Sequence, residues 1–582
     1  MIKVLKNSKK NKKYLIINYK RLNYPKGSKL VFIDEYLFNF YNSEDKSEFR
    51  CSYIYSTEDI LKLNNDINNI IKKKLRIYRK QFKKKLNSYH NTNNSEKFWG
   101  RIIDYFLILI LKKIILKTKL LKKIKIKDFN VTLTQEKIKF IFNTGDFITY
   151  VGSDSFNKLL NFIILKGTDN NFYNLRYNNI HKQINENSDR LYIFILRYII
   201  RLYIFIIKPI VLVNGYIGFN NSIKIFFRSF GKIINLPSLF IIKKNHKNIL
   251  VDKIFRKKIK IIEKDEVDKI FNKIIGPLMP LNFIENFNFI KNDVKRISNK
   301  IKIIGTANCH EDNDQFNILS SEIIKKNGKL LIFQHGGVIS KSKDLRSGYL
   351  DKKYAFRRYY FDNPKGLGMG FFNQKKLTFD EIRGRNFILI LNTYVSFEGI
   401  SNYSSKDLNL HSSVIFFSKL KTQNKEKVLL KLFPEENSYR VKKFWKYKFD
   451  NQINFLPIYS KPKKEKFYNA KLVVLDDISS SLWEVLFMKI PFILICSPTH
   501  LKEMQLINSF EKKFIELEKI NVFFYDPIKA AEFVNALYQN YAIESWWSKV
   551  SNMKVFLDFK KDMFIEKPNY VSRLVKELKS LT

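Results

Sequence analysis

The sequence predicts an α/β protein of two halves, each with strands alternating with helices, joined by a connecting segment. Residues 301–337 carry the strongest signal, because the apolar runs Ile301–Ile304 and Leu330–Phe333 flank an amphipathic helical pattern over Phe316–Lys326. A second region of alternating strand-like and helical patterns begins at Phe387. Such alternation is typical of parallel sheets covered by helices, and two such halves predict a cleft between them.

Length and charge limit the classes of protein to consider. The 582 residues are too many for one core, and 45% of them are hydrophobic, which is enough to fill several. The net charge of +52 favours anionic partners, although a general Lys, Ile and Asn bias accounts for it equally well. Because zinc-finger spacings, RNP-like aromatic motifs and basic heptads are absent, nucleic acid is not an expected partner. An anionic membrane surface or a phosphorylated substrate fits the charge.

Composition shifts predict the domain boundaries. An N-terminal α/β domain is expected over residues 1–340, with a helical segment at 57–125. Residues 341–386 lack periodicity and predict a linker. A C-terminal α/β domain is expected over 387–560, followed by a helical tail at 561–582.

Two apolar stretches invite a membrane interpretation, Tyr105–Leu121 and Leu191–Val213. Basic residues interrupt both, so neither is expected to span a bilayer. Each stretch is read either as a core helix with basic edges or as a helix on the inner leaflet beside a lipid-linked substrate. The three cysteines lie far apart and no signal peptide is evident, so we expect a cytoplasmic protein, peripheral at the inner leaflet.

Candidate reactive groups follow the two strands of the 301–337 unit. The carboxyl ends of parallel strands form the ligand-binding edge of an open sheet. The polar residues expected there are His310, Glu311, Asp312, His335, Gly336 and Gly337. Glu311, Asp312 or His335 would act as a base, and the glycines would allow close approach to a ligand. A solvated loop with a helix cap remains the alternative for residues 310–312, and no metal-ligand spacing is present.

The second candidate site follows the strand-like run Leu472–Leu475. Ser479, Ser480 and Ser481 open a helix there, and Glu484 lies one turn inside it. Hydroxyls and free N–H groups at a helix N-terminus suit a phosphate, and the carboxylate suits a ribose. The alternative is an ordinary cap, because Ser481 and Glu484 have capping-box spacing. Two nearby cations, Lys431 and Arg440, either face the cleft or lie on the surface.

Several motifs resemble those of one known family. They are Thr306-Ala307-Asn308, Asp314-Gln315-Phe316, Gly328-Lys329-Leu330, Gln334-His335-Gly336-Gly337, the segment from His90 to Ile103, and Leu475–Pro491. By their residues and by their order and spacing along the chain, these segments resemble the transferase family of O-antigen and other surface-polysaccharide loci, of leptospiral type. The resemblance spans about residues 50–560.

The resemblance implies a GT-B-like glycosyltransferase, with two Rossmann-like domains facing a cleft and a helical insertion in the N-terminal half. It implies a nucleotide-sugar co-substrate, a lipid-linked glycan acceptor, and neither a cofactor nor a metal. Ser479–Ser481 would hold the phosphates, Glu484 the ribose, and the N-terminal half, including His90, the acceptor. The alternatives are a phospho-polyol transferase of teichoic-acid type and a catalytically degenerate membrane-associated scaffold.

Overall fold

The computed structural model describes most of the chain. The described residues are 2–5, 13–16, 28–34, 50–122, 124–125, 128–134, 140–166, 191–239, 241–242, 249–334, 341, 347–361, 385, 387–392, 406–432, 438–449, 452–457, 469–504, 506–565 and 569–582. His335, Gly336 and Gly337 therefore lie outside the described residues.

The strands are β1 Ile2–Leu5, β2 Lys13–Ile16, β3 Lys29–Asp34, β4 Arg50–Tyr55, β5 Asn130–Thr134, β6 Ile210–Val213, β7 Ile233–Leu236, β8 Ile303–Thr306, β9 Lys329–Phe333, β10 Arg357–Tyr359, β11 Phe387–Asn392, β12 Val428–Leu432, β13 Asn454–Phe455, β14 Ala470–Leu475, β15 Phe492–Ile495 and β16 Phe523–Phe524. The helices are α1 Thr57–Tyr89, α2 Glu96–Lys122, α3 Thr144–Val151, α4 Asp154–Lys166, α5 Leu191–Ile207, α6 Phe219–Arg228, α7 Lys253–Lys258, α8 Glu266–Leu278, α9 Phe287–Ser298, α10 Cys309–Asp312, α11 Asp314–Lys325, α12 Ser347–Tyr354, α13 Lys406–Lys419, α14 Thr422–Lys425, α15 Ser438–Phe449, α16 Ser480–Met488, α17 Pro498–Glu503, α18 Asn508–Lys519, α19 Pro527–Gln539, α20 Ile543–Ser551, α21 Lys554–Met563 and α22 Tyr570–Lys579.

Two fully parallel sheets confirm the predicted α/β class. In the N-terminal half the strand order is β10-β9-β8-β6-β7, and in the C-terminal half it is β13-β12-β11-β14-β15-β16. Their strands are apolar along almost their whole length, because helices cover both faces of a parallel sheet. The order in which successive strands are added to the sheet reverses between β6 and β8 in one sheet and between β11 and β14 in the other. Each reversal opens a crevice beyond the carboxyl ends of the strands.

A third sheet belongs to the N-terminal half and was not expected from the sequence. Its order is β1-β5-β2-β3-β4, with one antiparallel pair between β1 and β5. The helical segment predicted at 57–125 forms α1 and α2, which pack against each other. Tyr105–Leu121 is a core helix, as one interpretation held, since most of its side chains are buried.

Part of the predicted linker forms regular structure, and the C-terminal tail, helical as predicted, packs against the N-terminal half. Residues 347–359, assigned to the linker, instead form α12 and β10, and β10 extends the N-terminal sheet as its edge strand beside β9. The final helix, α22, returns to that same sheet: Leu574 is fully buried with residues of β6 and β8, and Lys329 Nζ donates to the Leu581 carbonyl at 2.6 Å. The apolar face of the last helix therefore joins the C-terminus to the N-terminal half.

Candidate active site at the strand edges

Two asparagines mark the crevice of the N-terminal sheet. Asn214 follows β6 and Asn308 follows β8, the two strands between which the chain reverses, and Asn214 Nδ2 donates to Asn308 Oδ1 at 2.7 Å. Asn214 adopts a left-handed backbone, with φ of 48°, which asparagine tolerates better than most residues. The side-chain bridge fixes both loops at the floor of the crevice.

The predicted acidic residues lie on the short helix α10, directly after β8. Glu311 is half-buried and Asp312 is exposed. Burial raises the pKa of the Tyr216 hydroxyl, and the nearby Cys309, Asp312 and Glu311 raise it further. The tyrosine after β6 and the two carboxylates after β8 are therefore close enough to interact electrostatically.

His310 points inward, which differs from the predicted substrate contact. Its Nε2 atom lies 2.8 Å from Asp351 Oδ1, and both side chains are almost fully buried. Burial lowers the pKa of this imidazole, but the carboxylates of Asp351, Glu311 and Asp312 together raise it, and the net shift is upward. His310 thus ties the crevice loop to helix α12. Asp351 was missed because its segment reads as a linker in the sequence.

Asp314, a residue of the shared motif, organises the interior of the site. Its carboxylate accepts hydrogen bonds from the Thr144 N–H at 3.1 Å, Thr144 Oγ1 at 2.5 Å and Asn282 Nδ2 at 3.1 Å. Complete burial raises its pKa to about 7 against these bonds. The side chain therefore joins the starts of α3 and α11 and contacts no solvent.

His90, predicted to bind substrate, is instead a core residue. Its Nε2 atom lies 3.0 Å from the Phe283 carbonyl, and its ring packs against Phe287 and Trp99. Burial lowers its pKa to about 4, so the ring is neutral near pH 7. The segment around it is structural: Asn87 Oδ1 accepts from the Trp99 indole at 2.8 Å.

Gln334 is the described part of the Gln-His-Gly-Gly turn. It is buried, its N–H donates to the Tyr359 carbonyl at 3.0 Å, and its Oε1 accepts from the Phe361 N–H at 2.9 Å. These bonds hold the end of β9 to the end of β10. The roles predicted for His335, Gly336 and Gly337 fall outside the described residues and stay predictions.

Two consecutive carboxylates and a histidine line the corresponding edge of the C-terminal sheet. Asp476 and Asp477 follow β14, and both are buried. His500, on α17 just after β15, lies with Nε2 2.7 Å from Asp477 Oδ1. His500 was missed because it is a lone histidine after an apolar run. The one signal in the sequence was Ser497-Pro498, a helix start at the end of a buried strand.

The serine-rich helix begins as predicted, but its capping box does not form. Ser479, not Ser481, is the N-cap residue of α16, and its side chain makes no capping hydrogen bond. Ser480 is exposed, and Ser481 and Glu484 are half-buried. The capping alternative is therefore wrong for the Ser481–Glu484 pair. The positive end of this helix presents hydroxyls at the crevice between β11 and β14.

The two candidate cations are placed differently. Lys431 lies on β12 and is mostly buried, and its Nζ donates to the Pro457 carbonyl at 2.8 Å. Burial lowers its pKa. Lys431 therefore joins two chain segments within the C-terminal domain, which differs from the predicted free cation at the cleft. Arg440 belongs to the first turn of α15, and its side chain lies outside what the structure describes.

Neither a metal cluster nor a membrane-spanning helix occurs in the part of the chain that the structure describes. There, three or more His, Cys, Asp or Glu side chains never converge as metal ligands would. No helix among these residues is both long and apolar enough to cross a bilayer. Metal independence stays a prediction.

Comparison with known proteins gives one extensive match. Residues 13–578 match the family model described as LIC12162 family transferase. No curated protein sequence matches the chain.

Solved structures show only distant likeness. Anabaena HepE, solved in complex with UDP and glucose, is 9% identical, with a TM-score of 0.35 over 64% of this chain and 99% of that chain. MurG from Acinetobacter baumannii is 9% identical, with a TM-score of 0.32 over 64% of this chain and 99% of that one. A UDP-glucosyltransferase from Polygonum tinctorium is 8% identical, with a TM-score of 0.33 over 64% and 98%.

Proposed function

Because this chain belongs to the LIC12162 family of transferases, we propose that it transfers a sugar from a nucleotide-activated donor to a surface-polysaccharide acceptor, without a catalytic metal. The observation that carries the proposal is the edge of the C-terminal sheet. There an uncapped helix start with three serines, Ser479–Ser481, stands at the strand-order reversal beside β14. That arrangement suits the diphosphate of a nucleotide donor.

The donor half would stabilise the leaving group. As the bond between the anomeric carbon and the diphosphate oxygen breaks, negative charge grows on that oxygen, and the first N–H groups of α16 with the Ser480 hydroxyl would bind it. Glu484, one turn further along, would accept hydrogen bonds from the ribose hydroxyls. The buried pair of Asp477 and His500 would hold the loop from β14 against α17, so that the helix start keeps its position.

The other half would activate the acceptor. Glu311 would accept the proton of the acceptor hydroxyl as its oxygen attacks the anomeric carbon. Tyr216, across the crevice loop, would orient the acceptor by a hydrogen bond. His310 would act indirectly, because its contact with Asp351 fixes the short helix that carries Glu311.

An exposed apolar surface beside this crevice supports a membrane-bound acceptor. We define the α5–α6 surface as the outward side chains of helices α5 and α6 with Phe230. They include Phe205, Phe219, Phe227 and Phe230, with 56%, 79%, 70% and 86% of their area exposed. Tyr203 on α5 contacts Phe226 on α6, which makes the surface continuous. The interpretation of Leu191–Val213 as a core helix is therefore wrong.

Basic residues frame the α5–α6 surface. Lys208, Lys224 and Lys232 are exposed, and Lys300 Nζ lies 4.0 Å from the centre of the Phe205 ring. Aromatic side chains with basic neighbours are the pattern of a helix pair that lies in an anionic bilayer interface. Since α6 begins three residues after Tyr216, docking there would bring a lipid-linked acceptor to the crevice at the inner leaflet.

A donor screen tests the proposed activity. The purified chain would be heated with UDP-, GDP-, CMP- and CDP-linked donors, and the donor that raises the melting temperature would be incubated with lipid-linked acceptors. We expect a nucleotide sugar to stabilise the wild type and Ser418→Ala, but not Ser480→Ala or Glu484→Ala. Ser418 is an exposed serine on α13, remote in sequence from the crevice loop.

Three outcomes of that screen would contradict the proposal. Selective stabilisation by a CDP-linked polyol, with transfer of a phospho-polyol, would replace sugar transfer by the teichoic-acid type of reaction. No response to any nucleotide would favour a scaffold. Loss of transfer on chelation, restored by a divalent cation, would refute the metal-independent mechanism.

Vesicle binding tests the membrane surface separately. Phe227→Ser with Phe230→Ser should reduce co-sedimentation with phosphatidylglycerol vesicles at least tenfold, because both rings would otherwise enter the interface. Tyr541→Ser is the matched control, since Tyr541 is 85% exposed but lies in the C-terminal half. Equal vesicle binding by wild type and the double variant would refute the proposed surface.

A further inference from the structure

A basic groove opens near the amino ends of the strands of the N-terminal sheet. It has a volume of about 610 Å³ and lies between the start of α2, the end of α11 and the residues before β10. Gly328 and Leu330, at the amino end of β9, line it. Because the crevice with Glu311 lies beyond the carboxyl ends of the strands, a strand of five residues, about 16 Å, separates the two.

The lining of this groove is strongly cationic. Among the described residues that line it are Lys97, Arg101, Lys325 and Lys353, and none of the described lining residues is acidic. A volume of this size is typical of sites for small organic ligands. The groove therefore has the size and the charge for an anionic small molecule.

Arg101 is the residue that distinguishes this groove from an ordinary basic surface. Only 7% of it is exposed, and its buried Nε has no hydrogen-bond partner in the part of the chain that the structure describes. Its guanidinium lies over the ring of Tyr354, 5.6 Å from the centroid. Burial lowers the pKa of Arg101 to about 10. Arg101 has no carboxylate partner among the described residues, and a buried unpaired cation is costly, which favours binding of an external anion.

The nearest buried carboxylate on α2 is already occupied. Asp104 accepts from Arg79 Nε at 2.8 Å and Arg79 Nη2 at 2.7 Å, from Lys353 Nζ at 3.1 Å, and from the Tyr354 hydroxyl. These donors use both carboxylate oxygens. Arg101, three residues earlier on the same helix, is left facing the groove.

The start of α2 adds a second attraction for anions. Ser95 Oγ accepts from the Phe98 N–H at 3.1 Å, and Ser95, Lys97 and Phe98 all line the groove. The positive end of a helix of 27 residues thus faces the same space as Arg101. On the other side, Lys325 Nζ is held by Asn94 Oδ1 at 2.9 Å.

We infer that this groove is a binding site for a phosphate- or diphosphate-bearing ligand, with Arg101 as its anchor and Lys97 and Lys325 at its rim. Planar guanidinium groups bind phosphate oxygens through two parallel hydrogen bonds, and the first N–H groups of α2 add further donors. The site is separate from the proposed donor and acceptor sites. A phosphorylated soluble metabolite and a lipid phosphate headgroup share this chemistry.

Calorimetric titration of the full chain with inorganic pyrophosphate tests the site. Arg101→Gln should weaken pyrophosphate binding about tenfold or more, since it removes a charge-assisted pair. Arg76→Gln, an exposed arginine on α1, is the matched control and should bind like the wild type. The double variant Lys97→Gln/Lys325→Gln alters only exposed side chains, so it keeps the fold, and it should weaken binding several-fold.

Ser480→Ala separates this site from the donor site. Pyrophosphate binding that is lost in Ser480→Ala but unchanged in Arg101→Gln and in the rim variant would overturn the inference, as would no binding by the wild type. A parallel titration with phosphatidylglycerol vesicles identifies the source of the anion. If Arg101→Gln weakens the binding of pyrophosphate but not of vesicles, the ligand is a soluble phosphorylated molecule. If Arg101→Gln also weakens the binding of vesicles, the ligand is a lipid headgroup.

Discussion

Removal of the Asp104 carboxylate should destabilise the N-terminal half strongly. Its side chain is 1% exposed and that of Arg79 is 8% exposed, so Asp104→Leu leaves a guanidinium buried without its main counter-ion. Breaking a buried ion pair in this way typically costs about 3–5 kcal/mol of unfolding free energy. Glu96 Oε1 lies 3.4 Å from Arg79 Nη1 and its side chain is 34% exposed, so it replaces part of the lost counter-charge. We therefore expect the loss of unfolding free energy to lie at the lower end of this range, about 3 kcal/mol.

Urea unfolding followed by tryptophan fluorescence measures this loss. The double variant Asp104→Leu/Arg79→Met removes both charges and should be more stable than Asp104→Leu alone. Asp66→Leu, at an exposed position on α1, is the control and should change stability by less than about 0.5 kcal/mol. A loss below about 1 kcal/mol for Asp104→Leu, or a double variant no better than the single one, would refute the reasoning.

Three further predictions follow from single side chains. Burial raises the pKa of Asp314 from 3.8 to about 7, so between these pH values the folded state holds a proton that the unfolded state has lost. The free energy of unfolding should therefore fall as pH rises from 4 to 7, by at most about 1.4 kcal/mol per pH unit. Asp314→Asn should flatten that pH dependence in urea titrations, and an unchanged slope would contradict the assignment. His500→Leu leaves the Asp477 carboxylate buried without its ring partner and should cost about 2 kcal/mol in chemical unfolding; a loss near zero would contradict the pairing. Gly305→Ala places a Cβ 2.7 Å from Leu212 Cδ2 and 3.0 Å from Phe333 in the central strand β8, so calorimetry should show a loss of about 1–3 kcal/mol, whereas unchanged stability would mean that the sheet relaxes freely.

The two parallel sheets could be predicted because their strands are apolar runs bounded by polar clusters. The same reasoning placed Glu311 and the serines of α16 at strand ends, because a parallel strand fixes where its next residues emerge. The third sheet was missed since its strand β5, at 130–134, pairs with strands more than 100 residues earlier in the chain. Local periodicity carries no information about such a pairing.

Whether His90 and His500 are buried or face a ligand also depends on residues distant in sequence. His90 is buried by Phe283 and Phe287, which follow it by almost 200 positions, so its motif alone suggested a ligand contact. His500 meets Asp477 only because β15 returns the chain to the same sheet edge. A single sequence shows which residue types are present at a strand end, but burial by remote elements decides which of them face a ligand.

Nucleotide binding at the start of α16 is the most direct test of the account. The measurement is the dissociation constant of the nucleoside diphosphate of the preferred donor, by calorimetry, for wild type and Ser480→Ala. Loss of one hydrogen bond to a charged phosphate should weaken binding about tenfold or more. Ser418→Ala should bind like the wild type. Equal affinity in wild type and Ser480→Ala would contradict the placement of the donor phosphates at this helix.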